Sequence, residues 1–284
     1  MMRNPPASAM MVDMQYTTGF RTLLGVLLTG LLVMGCQRPT PRLDLQVLET
    51  EIHRLTNVYR ESQSLPPLKA RAELQRVARA HSEDMVQRQY FEHNSPEGES
   101  PDQRLSRGFS EAVILYSGEN LAQHSQDDLD ASQLAETLLQ LWKASPDHQP
   151  QLVEPAFDAL GVGAAQDEKG VVYATQTFAG LLANLTHPLP EHISTQTPLN
   201  LRFEFLGSFE PTELSAFLHT SNGFARIEGP GGVFYQGKGP VPIVWEDDTH
   251  FSVRIPTELG AGQYRLRLGQ GNRFVAKDYT LQVR

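Results

Sequence analysis

Apolar residues recur at three- and four-residue intervals through much of the chain between residues 44 and 145. This spacing places them on one face of an α-helix, which has about 3.6 residues per turn. The first such stretch ends before Pro66 and Pro67, because proline cannot continue a helix. Its apolar face consists of Leu45, Leu48, Ile52, Leu55 and Val58.

Two further helices are predicted from the same spacing. Their apolar faces consist of Leu74, Val77, Ala78, His81 and Met85 in the second, and Leu134, Leu138, Leu141 and Trp142 in the third. The segment 94–108 between them is rich in Ser, Pro and Gly and is interpreted as a loop. Residues 160–163 and 171–178 predict two strands joined by a polar turn. Helices followed by strands indicate a layered α+β domain.

The pattern changes after residue 182. Residues 186–192 carry prolines and polar side chains, and from residue 199 onward apolar and polar residues alternate in several short runs. Period-two alternation is typical of antiparallel strands with one buried face. About seven such strands fit this region, which predicts an immunoglobulin-like (Ig-like) β-sandwich. The sequence therefore divides into a domain at 44–182, a linker at 183–195 and an Ig-like domain at 196–284.

The N-terminal segment has the pattern of an export signal. Residues 23–34 are uncharged and mostly apolar, Arg21 precedes them, and Gly35 and Cys36 follow. About a dozen residues are too few to span a bilayer, which takes about 20, but they suit a signal peptide. The segment 32–36 resembles a bacterial lipobox, which implies that residues 1–35 are removed and that Cys36 carries lipid. Residues 36–43 would form a short tether. The alternative is a signal anchor in which the cysteine is incidental.

Composition restricts the function further. The chain has 284 residues, a net charge of -9 and a single cysteine, so an internal disulfide is excluded. The acidic balance argues against a nucleic-acid partner, because such proteins usually present a basic face. Neither the Gly-Xaa-Ser-Xaa-Gly motif of hydrolases nor a phosphate-binding loop is present.

A series of short motifs between residues 48 and 180 resembles the CAP superfamily, which comprises cysteine-rich secretory proteins, antigen 5 and pathogenesis-related proteins. The bacterial branch, which lacks disulfides, is the most similar. The resemblance implies an α-β-α sandwich with an open cleft. The motifs, in chain order, are Asn57-Val58-Tyr59-Arg60, Ala80-His81-Ser82-Glu83-Asp84-Met85, Phe91-Glu92-His93-Asn94-Ser95-Pro96, Gly118-Glu119-Asn120-Leu121-Ala122, Leu141-Trp142-Lys143-Ala144-Ser145-Pro146-Asp147-His148, Gly161-Val162-Gly163 and Tyr173-Ala174-Thr175-Gln176-Thr177-Phe178.

This resemblance also indicates a candidate site. The positions of His93 and Glu119 correspond to cleft residues of the family, where imidazole and carboxylate serve as zinc ligands or as an acid–base pair. Family members with a complete site add a second glutamate and a second histidine, but this chain has Ser145 and Tyr173 at those positions. His148 either points into the cleft as a third ligand or caps the turn after the third helix. Zinc, if it binds, is expected to bind weakly.

Three functions remain open from the sequence. The resemblance favours a cell-envelope lipoprotein, attached to the membrane through Cys36, whose cleft binds a lipid-like or other envelope ligand. The second is a hydrolase or protease acting through His93 and Glu119. The third is a structural or adhesion module without a small ligand, because a fold alone does not specify a function. Arg104 is expected to pair with a buried carboxylate, and His81 to be a hydrogen-bonded core residue.

Overall fold

A computed structural model describes residues 43–126, 128–275 and 277–284. The predicted signal peptide, Cys36 and all of the tether except Leu43 lie outside the described residues. The helices are α1 (Leu45–Ser62), α2 (Ala72–Arg88), α3 (Pro101–Gly108), α4 (Ala131–Ala144) and α5 (Gln149–Leu152). The strands are β1 (Lys69–Ala70), β2 (Ala112–Ser125), β3 (Ala159–Gln166), β4 (Val171–Leu185), β5 (Leu199–Phe205), β6 (Leu214–Thr220), β7 (Arg226–Glu228), β8 (Phe234–Gln236), β9 (Lys238–Pro240), β10 (Ile243–Trp245), β11 (His250–Ile255), β12 (Gly262–Gln270), β13 (Arg273–Phe274) and β14 (Tyr279–Val283).

The N-terminal region is the three-layered α-β-α sandwich that the resemblance implies. Its sheet has the order β1-β3-β4-β2, with β3 and β2 both antiparallel to β4. Successive residues of a strand face opposite sides, so Leu160 packs into a core with α1 and α4, whereas Ala159 packs into another with α2 and α3. The apolar faces predicted from the sequence are the faces that these helices bury, Val58 and Leu141 excepted because they are exposed.

One of the predicted loops is partly helical. The last eight residues of the segment 94–108 form α3. Ser100 caps this helix, because its side chain accepts from the backbone of Gln103 while the Gln103 side chain accepts from the backbone of Ser100. Pro101 occupies the first turn, where its missing N–H has no cost. The composition of the segment predicted a loop, although its capping residues Ser100 and Gln103 indicate the start of a helix.

The Gly161-Val162-Gly163 motif allows α2 to lie directly on the sheet. A Cβ atom at Gly161 would lie 2.1 Å from the backbone of Leu74, and one at Gly163 would lie 2.0 Å from the backbone of Arg79. Neither position can therefore carry a side chain without moving the helix. The close approach brings the residues of α2 near those of β2 and β4 that form the candidate site.

The C-terminal region is an all-β sandwich with antiparallel sheets. One layer contains β5, β11 and β10, and the other has the order β9-β6-β12, with β13 and β14 also paired to β12. Phe203, Phe251 and Tyr264 are fully buried between the layers. The Tyr264 hydroxyl donates to the carbonyl of Gly260 at 2.8 Å, the contact of a tyrosine corner in Ig-like folds.

The linker predicted at 183–195 does not begin at residue 183. Strand β4 continues through residue 185, and Ala183, Asn184 and Leu185 pair with β5 of the sandwich. One seven-stranded sheet therefore runs through both regions. Leu182 and Ala183 also belong to the same apolar core as Phe203. The connection without regular pairing to β4 begins after Leu185.

None of the described helices is both long and apolar enough to cross a membrane.

Candidate functional site

His93 and Glu119 are in direct contact. His93 lies on the loop between α2 and α3, and Glu119 lies on β2, with its Oε1 atom 3.0 Å from Nδ1 of His93. The two side chains differ in exposure, since that of His93 is 50% exposed and that of Glu119 only 3%. The cleft therefore presents the imidazole to solvent, and the carboxylate lies behind it.

Arg104 of α3 holds both residues in place. Its Nη2 atom donates to the two oxygens of Glu119 at 3.1 and 2.9 Å. The same atom donates to the carbonyl of His93 at 2.7 Å, and Nη1 donates to the carbonyl of Glu99 at 3.0 Å. Arg104 is buried, so it supplies the positive charge that a buried carboxylate requires. The pairing of Arg104 with a buried carboxylate confirms the prediction from the sequence.

These contacts define which nitrogen of His93 is available for chemistry. A carboxylate beside arginine accepts hydrogen bonds and has no proton to donate, so Nδ1 of His93 must be the donor to Glu119. In the neutral ring, Nε2 then has the lone pair. This atom can accept a proton or a hydrogen bond, or bind a cation, from the solvent side.

His81 lies behind the pair as a buried neighbour. Its Nε2 atom is 3.9 Å from Oε1 of Glu119 and donates to the carbonyl of Glu92 at 3.2 Å. Burial lowers the pKa of His81, although the charge of Glu119 opposes this effect. The ring is therefore neutral at pH 7. It supports the His93 loop through Glu92, which is the core role expected from the sequence.

The residue after Glu119 faces the opposite side of the sheet. Asn120 donates to the carbonyl of His148 and to Oε1 of Gln176, each at 3.2 Å. Gln176 in turn donates to the hydroxyl of Thr56 at 2.8 Å. Thus one dipeptide of β2 fixes the His93 loop on one face and the turn carrying His148 on the other.

His148 is close enough to His93 to be affected by its charge. Burial lowers the pKa of His148, and the charge of His93 lowers it further. The His148 ring is partly exposed. The His148 backbone is held from β2, because its carbonyl accepts from Asn120, the residue after Glu119.

The structure does not bring Ser145 and Tyr173 into the same contact. Ser145 ends α4, and its backbone N–H donates to Trp142. Tyr173 lies on β4, four residues from Thr177, which is the register partner of Glu119. Four residues of a strand span about 13 Å. Tyr173 instead packs against Phe91, with ring centroids 6.1 Å apart, a contact that was not predicted.

The donor set fits a metal poorly. No group of three or more His, Cys, Asp or Glu side chains is placed to hold a metal ion in the described part of the chain. Both oxygens of Glu119 already accept from Arg104, so a zinc ion would have to compete with a buried arginine. His93 and His148 alone would form a two-ligand site, which is weaker than the three or four ligands of stable zinc sites. Weak zinc binding through His93, Glu119 and His148 stays a prediction.

A cavity of about 430 Å³ lies between α2 and the segment containing α3. His81 and Arg104 form part of its wall. The remaining wall is largely charged, with Arg88 paired to Asp84 and Glu97. Such a lining suits a polar ligand better than an alkyl chain, because an apolar ligand would remove these groups from water without replacing their contacts.

Comparisons with known proteins agree with this architecture. Residues 53–178 match the family model described as CAP, the cysteine-rich secretory protein family. The protein YkwD of Bacillus subtilis (strain 168) is 35% identical over 133 residues, which are 46% of this chain and 47% of YkwD. The membrane protein YlbC of the same strain is 34% identical over 130 residues, 46% of this chain and 34% of YlbC. The chain thus spans less than half the length of either relative.

Two solved structures are also similar in part. An extracellular SCP-domain protein from Bacillus anthracis is 33% identical, with 47% of this chain and 40% of that chain covered and a TM-score of 0.40. An immunoglobulin-like protein from Pseudomonas aeruginosa is 19% identical, with 36% and 83% covered and a TM-score of 0.24. By the family match, residues 53–178 are a CAP domain, and the Bacillus subtilis relatives are consistent with its bacterial branch.

Proposed function

We propose that this protein is a lipoprotein of the cell envelope, attached to the membrane through Cys36, whose extracytoplasmic CAP domain binds an envelope ligand at His93. The apolar run ending at Gly35 and Cys36 supports the anchor. The extracellular protein from Bacillus anthracis and the membrane protein YlbC are described in terms compatible with such a location.

The observation that carries the binding proposal is the way in which His93 is presented. Its Nδ1 atom is fixed by a buried carboxylate, that carboxylate is fixed by a buried arginine, and half of the side chain faces solvent. A purely structural histidine would gain nothing from this exposure. Holding an exposed imidazole in one orientation is what a binding site requires. The charged cavity beside it favours a polar envelope ligand, such as a lipid headgroup, over an alkyl chain.

The anchor is tested by fractionation of cells that express the wild type or Cys36→Ser. We expect the wild type to sediment with membranes and to enter the detergent phase, and the variant to be released, because acylation supplies the affinity for the bilayer. Cys36→Ser that still enters the detergent phase would exclude lipidation as the means of attachment.

The ligand site is tested by native mass spectrometry of the full chain purified from its host. We expect a co-purifying molecule on the wild type that is reduced in His93→Ala and retained in His192→Ala, a matched exposed histidine. Calorimetric titration with zinc chloride on the same variants tests the metal. An equal amount of bound ligand on His93→Ala and the wild type would remove His93 from the site.

The contact between His93 and Glu119 keeps hydrolysis as a second candidate. A histidine oriented by a carboxylate can act as a general base toward water or toward a substrate hydroxyl. Incubation of the wild type and His93→Gln with ester and peptide substrates tests this. Turnover by the wild type that disappears in the variant would favour the enzyme over the binding protein.

A further inference from the structure

Phe91 and Tyr173 line a second groove, next to the loop that carries His93. Phe91 follows the end of α2 and is 37% exposed, and Tyr173 lies on β4. Their rings meet edge to face at an angle of 64°. The groove has a volume of about 590 Å³ and opens between the end of α2 and the turn joining β3 to β4.

The walls of this groove are polar on both sides of the aromatic pair. Gln87 and Gln89 lie on the wall formed by α2, and Asp167 and Glu168 lie on the turn. Asp167 is fixed, because its Oδ1 atom accepts from the backbone N–H groups of residues 169 and 171 at 2.9 and 2.8 Å. The turn is therefore an ordered wall, and the groove combines amides and carboxylates with two aromatic rings.

From this lining we propose that the groove binds a carbohydrate chain. The C–H faces of a sugar ring pack on aromatic rings, while its hydroxyl groups both donate and accept hydrogen bonds. Glutamine amides also donate and accept, and carboxylates accept. A volume of about 590 Å³ is within the usual range of ligand pockets.

Two other ligand classes fit this lining less well. An alkyl chain would desolvate the amides and carboxylates without giving them partners. For an organic cation, Lys169 on the same turn offsets part of the negative charge of Asp167 and Glu168. In addition, the guanidinium of Arg88 already lies 5.4 Å from the ring centroid of Tyr90, which leaves less aromatic surface for a second cation.

This inference does not depend on the proposed role of His93. The groove contains Tyr173, whereas His93 contacts Glu119, opposite Thr177 on the same strand. Tyr173 and Thr177 are separated by about 13 Å along β4, whereas Phe91 and His93 are two residues apart on one loop. Sugar binding is therefore measured in variants at both Phe91 and His93.

The test is titration of the full chain, in a detergent without a sugar headgroup, with chitotetraose and with cellotetraose. Saturation-transfer NMR and calorimetry report binding. We expect at least one tetrasaccharide to bind the wild type, and Phe91→Ala to weaken that binding by about tenfold or more. Phe91 is partly exposed, and thermal unfolding of the variant establishes that it is folded.

Two controls make the result specific to the groove. Phe234→Ala removes an aromatic ring that is 52% exposed in the sandwich and is expected to leave binding unchanged, as is His93→Ala. Gln89→Ala, which changes an exposed polar wall residue, is expected to weaken binding. Failure of both tetrasaccharides to bind, or equal affinity of Phe91→Ala and the wild type, would overturn the proposal. Loss of sugar binding in His93→Ala would also overturn it, by placing the sugar at the other site.

Discussion

The two regions of the molecule bury different chemistry. Among the described residues, the region up to Leu185 contains twelve of the buried polar or charged residues, whereas the sandwich contains two. The twelve are Glu49, Thr56, Arg60, His81, Ser82, Ser95, Arg104, Glu119, Asn120, Thr175, Gln176 and Thr177, and the two are Thr220 and Thr257. The sandwich is thus held together mainly by apolar packing, and the CAP domain also by interior hydrogen bonds.

This difference indicates where specificity resides. Burying a polar group costs free energy unless it is hydrogen-bonded, so each such group must be matched by a partner in one arrangement. In the CAP domain, Arg60 donates to the carbonyls of residues 66, 152, 154 and 157 and thereby joins three segments. The sandwich has no comparable constraint in its described interior. More of the interior contacts of the CAP domain therefore depend on one arrangement of the chain.

The largest effect is expected at the pair of Arg104 and Glu119. Arg104→Ala would leave a carboxylate that is 3% exposed without its cation. Breaking a buried ion pair from one side typically costs about 3–5 kcal/mol. We therefore expect Arg104→Ala to lower the free energy of unfolding by about this amount in urea titration, and to release the His93 loop.

Arg107 on the same helix is the matched control. Its side chain is 73% exposed and pairs with Glu99, so Arg107→Ala should cost less than about 1 kcal/mol. Equal losses in the two variants would show that the buried pair is not a special source of stability. The larger number of buried polar residues in the CAP domain would then be a difference in composition and not a source of stability.

The structure and the sequence agree most closely where the pattern is local. Periodicity identified the faces of α1, α2 and α4, and alternation identified the strands of the sandwich. The pairing of Arg104 was expected because a buried carboxylate needs a cation. The position of Tyr173 relative to Glu119 could not be predicted. Strand alternation gives the face on which a side chain lies, but not the register between β2 and β4. The pairing of β4 with β5 is likewise a long-range contact.

Lys277 is an exception to the apolar character of the sandwich. It lies just before β14 and donates to the backbone carbonyls of Ser110 and Ala112 in the CAP domain. Burial lowers the pKa of Lys277. We expect Lys277→Met to cost about 1–2 kcal/mol in urea unfolding, because two carbonyl groups lose a charged donor. Lys238→Met, at an exposed lysine of β9, is the control, and an equal cost there would mean that the contact does not couple the two regions.

Two aspartates extend the comparison to pH. Asp247 in the sandwich is exposed, and hydrogen bonds from the Thr249 backbone and from His250 hold its pKa below the ordinary range. Asp158, just before β3, is partly buried, and burial raises its pKa to about 6, although a hydrogen bond from the Leu181 backbone N–H opposes this. For Asp247, the stabilisation is present above the unfolded pKa of about 3.9 and is lost as the pH falls below it.

Asp158 has the opposite effect and supplies the smallest of the expected changes. The folded protein holds its proton more tightly than the unfolded chain does, so stability contributed by this group falls as the pH rises from about 4 to about 6. Asp158→Asn keeps an oxygen that can accept from Leu181 and removes the titration. A shift of about two pKa units corresponds to about 2.7 kcal/mol. Because the side chain is partly exposed and screened by solvent, we expect the variant to gain only about 1 kcal/mol relative to the wild type between these pH values. Urea unfolding at several pH values measures this difference, and a constant difference across the window would show that Asp158 does not titrate there.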